Sequence, residues 1–154
     1  MRLHLYTAGD PAPTTLADLE DHRQVREIIE IEETEPVFLL GSDIEIDLDL
    51  TVIEAFGPGN HTLIKHSCRE IVVRVDYVGR HAQLEHVHPA TSVSDVEKRI
   101  VERLQIDPSQ AADLELHRHG TEDVLNGAVP IGAYVKKGEC RIELDLLPVE
   151  RNQG

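Results

Sequence analysis

The residues best suited to chemistry lie at the end of the chain. The run Cys140-Arg-Ile-Glu-Leu-Asp-Leu-Leu147 alternates like a strand and passes into a polar segment, Pro148-Val-Glu-Arg-Asn-Gln-Gly154. A strand feeding an exposed tail that stops on glycine is what a protein needs when its own terminal carboxylate is the reacting group. Glycine has no side chain to obstruct an enzyme that adenylates or transfers that carboxylate, and its backbone fits narrow channels. Glycine-containing tails are also common as inert chain ends, so the remaining residues must decide between the two.

The histidines and acids offer less. Among nine histidines, His86-Val-His88 and His117-Arg-His119 each place two imidazoles on one face of a strand, a geometry zinc can use. No cysteine or carboxylate cluster stands at ligand spacing beside either pair, so they read as surface or partner-facing histidines and no metal site is expected. Asp43, Glu45, Asp47 and Asp49 alternate along an expected strand. Four like charges on one face need solvent, which implies an edge or exposed face, and their spacing is not that of a calcium loop. No Ser/His/Asp, Cys/His or paired-carboxylate constellation has local support, and no Gly-rich phosphate loop is present. Catalysis by the chain itself is not expected. Cys68 and Cys140 show no metal-type spacing and imply no disulfide framework.

Composition narrows the class further. The 154 residues hold 29 acidic against 15 basic side chains, a formal net charge of −14. This argues against nucleic acid, whose binders concentrate positive charge, and against an anionic membrane surface. It suits a protein that meets basic patches on partners. With 40% apolar residues but no Trp, two Phe and three Tyr, any core must be built from Val, Ile and Leu. Residues 1–30 contain no charged-then-apolar signal segment and no apolar run approaches a membrane span, so the expected location is cytoplasmic.

The elements that would position the tail are clearest in the second half. Glu70–Tyr77 is rich in β-branched residues, Val78-Gly79-Arg80 is a turn, and His81–Val87 alternates as the returning strand. Val93, Val96, Ile100, Val101 and Leu104 then share one helical face. Ser94 with Glu97 predicts a capping box, and Asp107-Pro108 predicts the helix end. Leu114–Leu116 is a short strand, Val124–Tyr134 a loop with one buried turn, and Gly138 the turn before the last strand. The order is β-β-α-β-β.

The first half repeats part of that order. Arg2–Tyr6, Val37–Leu40, Ile44–Val52 and His61–His66 read as strands, and Leu16–Ile29 as a helix with Leu19, Val25 and Ile29 among its apolar positions. Thr7–Thr15 looks too short and too Pro-rich for a strand. Val52–Phe56 reads as a loop matching Ile131–Val135, and Gly59 occupies the place of Gly138. The expectation is an α+β chain of two related units, 1–67 and 70–148, the first abbreviated, followed by a tail at 149–154. The near absence of a linker predicts a restricted angle between them.

A hairpin, a helix across the sheet and further strands ending in an exposed tail resemble the β-grasp, ubiquitin-like fold. Ala90–Ile100 resembles the helix entry of such domains, Leu104–Gln110 their helix exit, and Gly127–Gly138 the segment before their last strand. The resemblance covers 70–148 well and 36–66 reasonably. Two such domains in one chain resemble the tandem modifiers of the interferon-stimulated kind, and more closely their bacterial counterparts of antiphage defence operons. That resemblance implies that Gly154 is adenylated with ATP, passed as a thioester to enzyme cysteines and joined to a target amine by an isopeptide bond. Arg151, Asn152 and Gln153 would be the tail read by partner enzymes. The partners implied are a ubiquitin-activating-like enzyme, a ubiquitin-conjugating-like enzyme, a deconjugating metalloprotease and a target such as a phage structural protein. The chain itself would carry no cofactor. The surface such modules use for partners would fall on Leu114, His117 and Ile142. Here Gln153 stands where ubiquitin has the first glycine of a pair. Two other readings stay open, a non-covalent adaptor and a sulfur carrier.

Overall fold

The computed structural model describes residues 1–30 and 35–149. Two four-stranded mixed sheets follow one another along the chain and share one topology. The first contains β1 (Arg2–Thr7), β2 (Asp10–Ala17), β3 (Val37–Leu39) and β4 (Asn60–Lys65), in the order β2-β1-β4-β3. The second contains β5 (Ile71–Tyr77), β6 (Arg80–Val87), β7 (Leu114–Arg118) and β8 (Arg141–Pro148), in the order β6-β5-β8-β7. In each, an antiparallel hairpin is followed by a crossover that brings the last strand parallel to the first, β4 beside β1 and β8 beside β5. This is the β-grasp arrangement, α+β in class and present twice.

The second copy forms for reasons visible in its residues. Val78 and Gly79 both take positive φ, 44° and 74°, as a two-residue turn compatible with strand twist requires. Helix α3 (Val93–Arg103) buries Val93, Val96 and Ile100 against the sheet. Its N-cap is Ser92, whose hydroxyl accepts from the Asp95 N–H, two residues before the cap expected from Ser94 and Glu97. The helix ends at Leu104, where Gln105 turns to a φ of 55°. Asp107-Pro108 therefore does not stop α3. It opens a short helix, α4 (Pro108–Ala111), with Asp107 as N-cap and proline in the first turn.

The first copy departs further from its expected elements. Asp10–Ala17 is a strand despite Pro11 and Pro13, because β2 lies at the sheet edge, where a missing N–H need not cost a ladder bond. The helix expected over Leu16–Ile29 shrinks to α1 (Val25–Ile28). Ile44–Val52 is turns and bends with isolated bridges at Glu45 and Thr51, not a strand. Asp47 there accepts the Asp49 N–H in a local turn. Val52–Phe56 is a helix, α2, with a reciprocal capping box between Thr51 and Glu54. The first copy is abbreviated chiefly in its helix and in β3.

The two sheets are joined through residues 66–70 and share a buried boundary. Phe38 of β3 and Ile64 of β4 belong to the core of the second copy. Phe38 meets the His88 ring edge-on at 4.4 Å, and the Gly41 N–H donates to the Ala90 carbonyl at 2.8 Å. His66 is fully buried. Its Nδ1 accepts from the Cys68 N–H at 2.9 Å, so Nε2 carries the proton and donates to the Val135 carbonyl at 3.1 Å. The bond accepted at Nδ1 needs the neutral imidazole, and burial pushes the His66 pKa below the usual histidine value against the opposing pull of the Val135 carbonyl. Buried Glu35 pairs with Lys137 at 2.6 Å. Gly132 faces Ile64 and Pro89 so closely that a Cβ would lie 2.7 Å from each.

A disulfide links Cys68, in the connection, to Cys140, just before β8. This overturns the expectation drawn from cysteine spacing. The two residues are 72 positions apart in sequence, and it is the parallel pairing of Val72 with Arg141 that brings their neighbourhoods together.

Candidate functional site

Strand β8 determines where the chain leaves the second copy. It lies between β5 and β7, with Ile142, Leu144 and Leu146 buried and Arg141, Glu143 and Leu147 exposed. Its end is held by one more bond, from the Val149 N–H to the Asp113 carbonyl at 2.8 Å. Up to that point the backbone is fixed, while the Leu147 and Val149 side chains remain more than a third exposed. The residues expected to react or to be read by enzymes, Gly154 with Arg151, Asn152 and Gln153, lie outside the described residues.

The residues expected to form a partner face separate onto two sides of the sheet. Ile142 is 8% exposed and belongs to the core, and Leu114 packs against the same core. Both share the pleat of Leu116 and Leu146, which pair with each other and are buried. His117 lies on the opposite pleat, directly across from Asp145, yet it too is only 7% exposed. Segment Asp123–Leu125 explains that burial by pairing along the free edge of β7, through Arg118 N–H to the Asp123 carbonyl and Leu125 N–H to the Leu116 carbonyl. The same pleat as His117 presents Arg141, Glu143 and Leu147 to solvent, with Val124 beside them.

The four paired histidines take four different environments. His86 is exposed and bonds Glu70 at 3.1 Å, which raises its pKa. His88 is packed at the boundary, where burial lowers its pKa. His117 Nε2 bonds Glu115 at 3.0 Å, leaving Nδ1 buried without a partner. His119 Nδ1 bonds Asp145 at 2.8 Å and lies 3.7 Å from Asp76. That hydrogen bond raises the His119 pKa. Partial burial of Asp145 acts to raise its own pKa, but the Gly120 N–H and His119 together outweigh it and hold the carboxyl below its ordinary value.

Sequence reasoning missed Glu97. It borders an open groove of about 370 Å³ with Val101, Pro108 and Ala111. One carboxylate oxygen is buried without a partner, and burial together with Glu115 raises its pKa. In sequence Glu97 reads as the capping-box partner of Ser94, a role the Ser92 cap removes, and that reading hides its half-buried carboxylate.

Residues 72–149, half of the chain, match the family model described as BilA ubiquitin-like domain 2. No curated protein matches the chain. Among solved structures it is similar to ATBAG1 in complex with HSP70, at 18% identity over 51% of this chain and 40% of that one, with a TM-score of 0.39. It is similar to an Arabidopsis thaliana protein solved from evolutionary couplings and sparse NMR data, at 17% identity over 57% and 96% of the two chains, TM-score 0.42. It is also similar to Caldiarchaeum subterraneum ubiquitin, at 13% identity over 53% and 96%, TM-score 0.40.

Proposed function

The chain belongs to the BilA ubiquitin-like domain family, and from that premise we propose that it is a tandem ubiquitin-like protein modifier. The carboxylate of Gly154 attacks the α-phosphate of ATP on a ubiquitin-activating-like enzyme, giving an acyl adenylate and releasing pyrophosphate. An enzyme cysteine displaces AMP to form a thioester, which passes to a ubiquitin-conjugating-like enzyme. A target amine then displaces the thiol and forms an isopeptide bond, which a metalloprotease later hydrolyses. Arg151, Asn152 and Gln153 are the segment those enzymes read. The setting is the bacterial cytoplasm during antiphage defence, with a phage structural protein as the target. The chain supplies the attached group and leaves catalysis to its partners.

The observation that carries this reading is the exit of β8. The strand is held on both sides by the sheet and fixed at Val149 by the Asp113 carbonyl, so the tail beyond it starts from a rigid and exposed point.

The test is incubation of the chain with ATP and its cognate activating enzyme. A reductant-sensitive adduct should form and should be lost when Gly154 is deleted. If no such thioester appears, or if deletion leaves conjugation unchanged, the reading fails.

A further inference from the structure

The face of the second sheet that carries His117 also carries a row of metal-type side chains drawn from four strands. His81 of β6 is the register partner of Asp76 of β5, Asp76 that of Asp145 of β8, and Asp145 that of His117 of β7. His119, one turn beyond, closes over the two aspartates. We propose that Asp76, Asp145 and His119 form a site for a divalent transition-metal ion of the zinc class, held on the exposed face of the second sheet.

Geometry carries the proposal. The His119 Nδ1 lies 2.8 Å from an Asp145 oxygen and 3.7 Å from an Asp76 oxygen, and donor atoms of all three residues fall within 4.8 Å of one another. Zinc holds nitrogen and oxygen ligands at about 2.1 Å, so tetrahedral donors stand roughly 3.4 Å apart. The observed spacings bracket that value, and rotation of the exposed His119 ring brings them toward it. One imidazole and two carboxylates is a donor set that suits zinc and its neighbours better than calcium or magnesium. Three protein ligands leave a fourth position open, as in sites where zinc meets water or a second molecule.

Three further observations bear on the same point. Asp76 and Asp145 are side by side on parallel strands, an arrangement of like charges that costs stability unless a cation lies between them. Protonated His119 supplies one at low pH, and its deprotonation leaves that place to a metal ion. Arg74 reaches Asp76 only at 3.8 Å. Asp145 is already oriented by the Gly120 N–H at 2.8 Å, the kind of supporting bond that fixes a metal-binding carboxylate. His117, the register partner of Asp145, is buried with its Nδ1 unpartnered and is not one of the three clustered donors. Glu115, Glu122 and Asp123 are the carboxylates nearest His119 in sequence, yet the sheet brings Asp76 and Asp145 to it.

Binding is a proton exchange. The ion takes the Nδ1 lone pair of the neutral His119 tautomer protonated on Nε2. From the imidazolium, the Nδ1 proton shared with Asp145 goes to solvent, and from the Nδ1-protonated neutral ring it moves to Nε2 by exchange with water.

The experiment is calorimetric titration of the whole chain with Zn2+ at pH 7.5, followed through the backbone amide resonances of His119 and Gly120. One ion per chain is expected, with those two amides shifting. Affinity should fall at least tenfold in both Asp76→Asn and His119→Gln, and should persist in His86→Gln. Neither Asp76 nor His119 holds a turn together through its side chain, so both variants should keep the wild-type amide spectrum elsewhere. Absence of saturable binding, unchanged affinity in both variants, or loss only in His86→Gln each overturns the proposal.

Discussion

The two sheets have the same strand order and the same parallel closure, yet they are stabilised differently. The second has an eleven-residue helix across it and a core that extends beyond its own strands. The first has two short helices, α1 and α2, and a small core around Leu3, Val25, Val37, Val52 and Leu63. It also contributes Phe38 and Ile64, two of its larger apolar side chains, to its neighbour's core. A topology can thus be kept with little hydrophobic burial of its own when a stronger copy is docked against it. The comparison teaches that the first unit, with its small core, depends on the boundary more than the second does.

Phe38→Ala strikes that dependence most directly. Removing a fully buried phenylalanine costs about 3–5 kcal/mol, and here the cavity opens at the boundary beneath His88. Hydrogen exchange should show the Leu5 and Leu63 amides losing protection while the Val73 and Leu144 amides keep most of theirs. Equal loss in both sheets would mean one cooperative unit and would break the comparison.

The disulfide is the next largest effect. Closing a loop with a 72-residue separation constrains the unfolded chain by about 4 kcal/mol in the loop-entropy model. Cys68→Ser, and separately Cys140→Ser, should lower the denaturant midpoint by an amount approaching that value. Because the bond ties the connection to the start of β8, reduction should loosen the His66 contacts before it loosens α3. An unchanged midpoint after full reduction would show that packing alone holds the boundary.

How much was legible in the sequence follows the same division. In the second copy, β-branched strands and the Val93-Val96-Ile100 face expressed local and tertiary preferences that agree, so the elements could be read. In the first copy they conflict. Pro11 and Pro13 argue against a strand that the sheet nevertheless accepts at its edge. The alternation of Ile44–Val52 looks like a strand, but Ile44 is 75% exposed and has nothing to pack against. The S-x-x-acid pattern occurs at both Ser92 and Ser94, and only the backbone conformation selects Ser92. Leu114 and Ile142 were assigned to an outward face because a one-residue difference in pleat reverses every side chain. The Cys68–Cys140 pair and the Asp76–Asp145–His119 cluster were illegible because non-local pairing assembles them: β5 with β8 for the cysteines and the aspartates, and β7 with β8 for His119.

Gly132→Ala is a smaller and more local test. A Cβ there would sit 2.7 Å from Ile64 Cδ1 and from Pro89 Cβ. The isoleucine terminus can rotate away, while the proline ring cannot. Overpacking of this kind costs about 1–3 kcal/mol. The loss should appear as weakened docking, with the Gly41 N–H to Ala90 carbonyl bond exchanging faster and β5–β8 pairing unaffected. Enlarging a glycine away from the boundary, Gly120→Ala, would meet no atom within 4 Å and would cost only its positive φ of 71°.

The smallest effect separates the boundary from the exposed sheet by sign. His66 is depressed by burial, so below the unfolded value of about 6.5 the unfolded chain binds a proton that the folded one refuses. Its contribution to stability is complete above that pH and declines as the pH falls toward the folded value. Glu35, which faces it, opposes the depression, and His88 nearby is depressed by its own burial and by Arg69. His86 and His119 are raised by Glu70 and Asp145, so their contribution is complete below about 6.5 and is lost as the pH rises. One proton changes stability by at most about 1.4 kcal/mol per pH unit. Between pH 7.5 and 5.5, hydrogen exchange at Gly41 and Cys68 should therefore accelerate relative to exchange in β8, and His66→Gln should flatten that difference. The imidazole resonances of His66 decide the point most simply, because a titration at the ordinary histidine value would show that the boundary is open to water and that the two copies are less unequal than their cores imply.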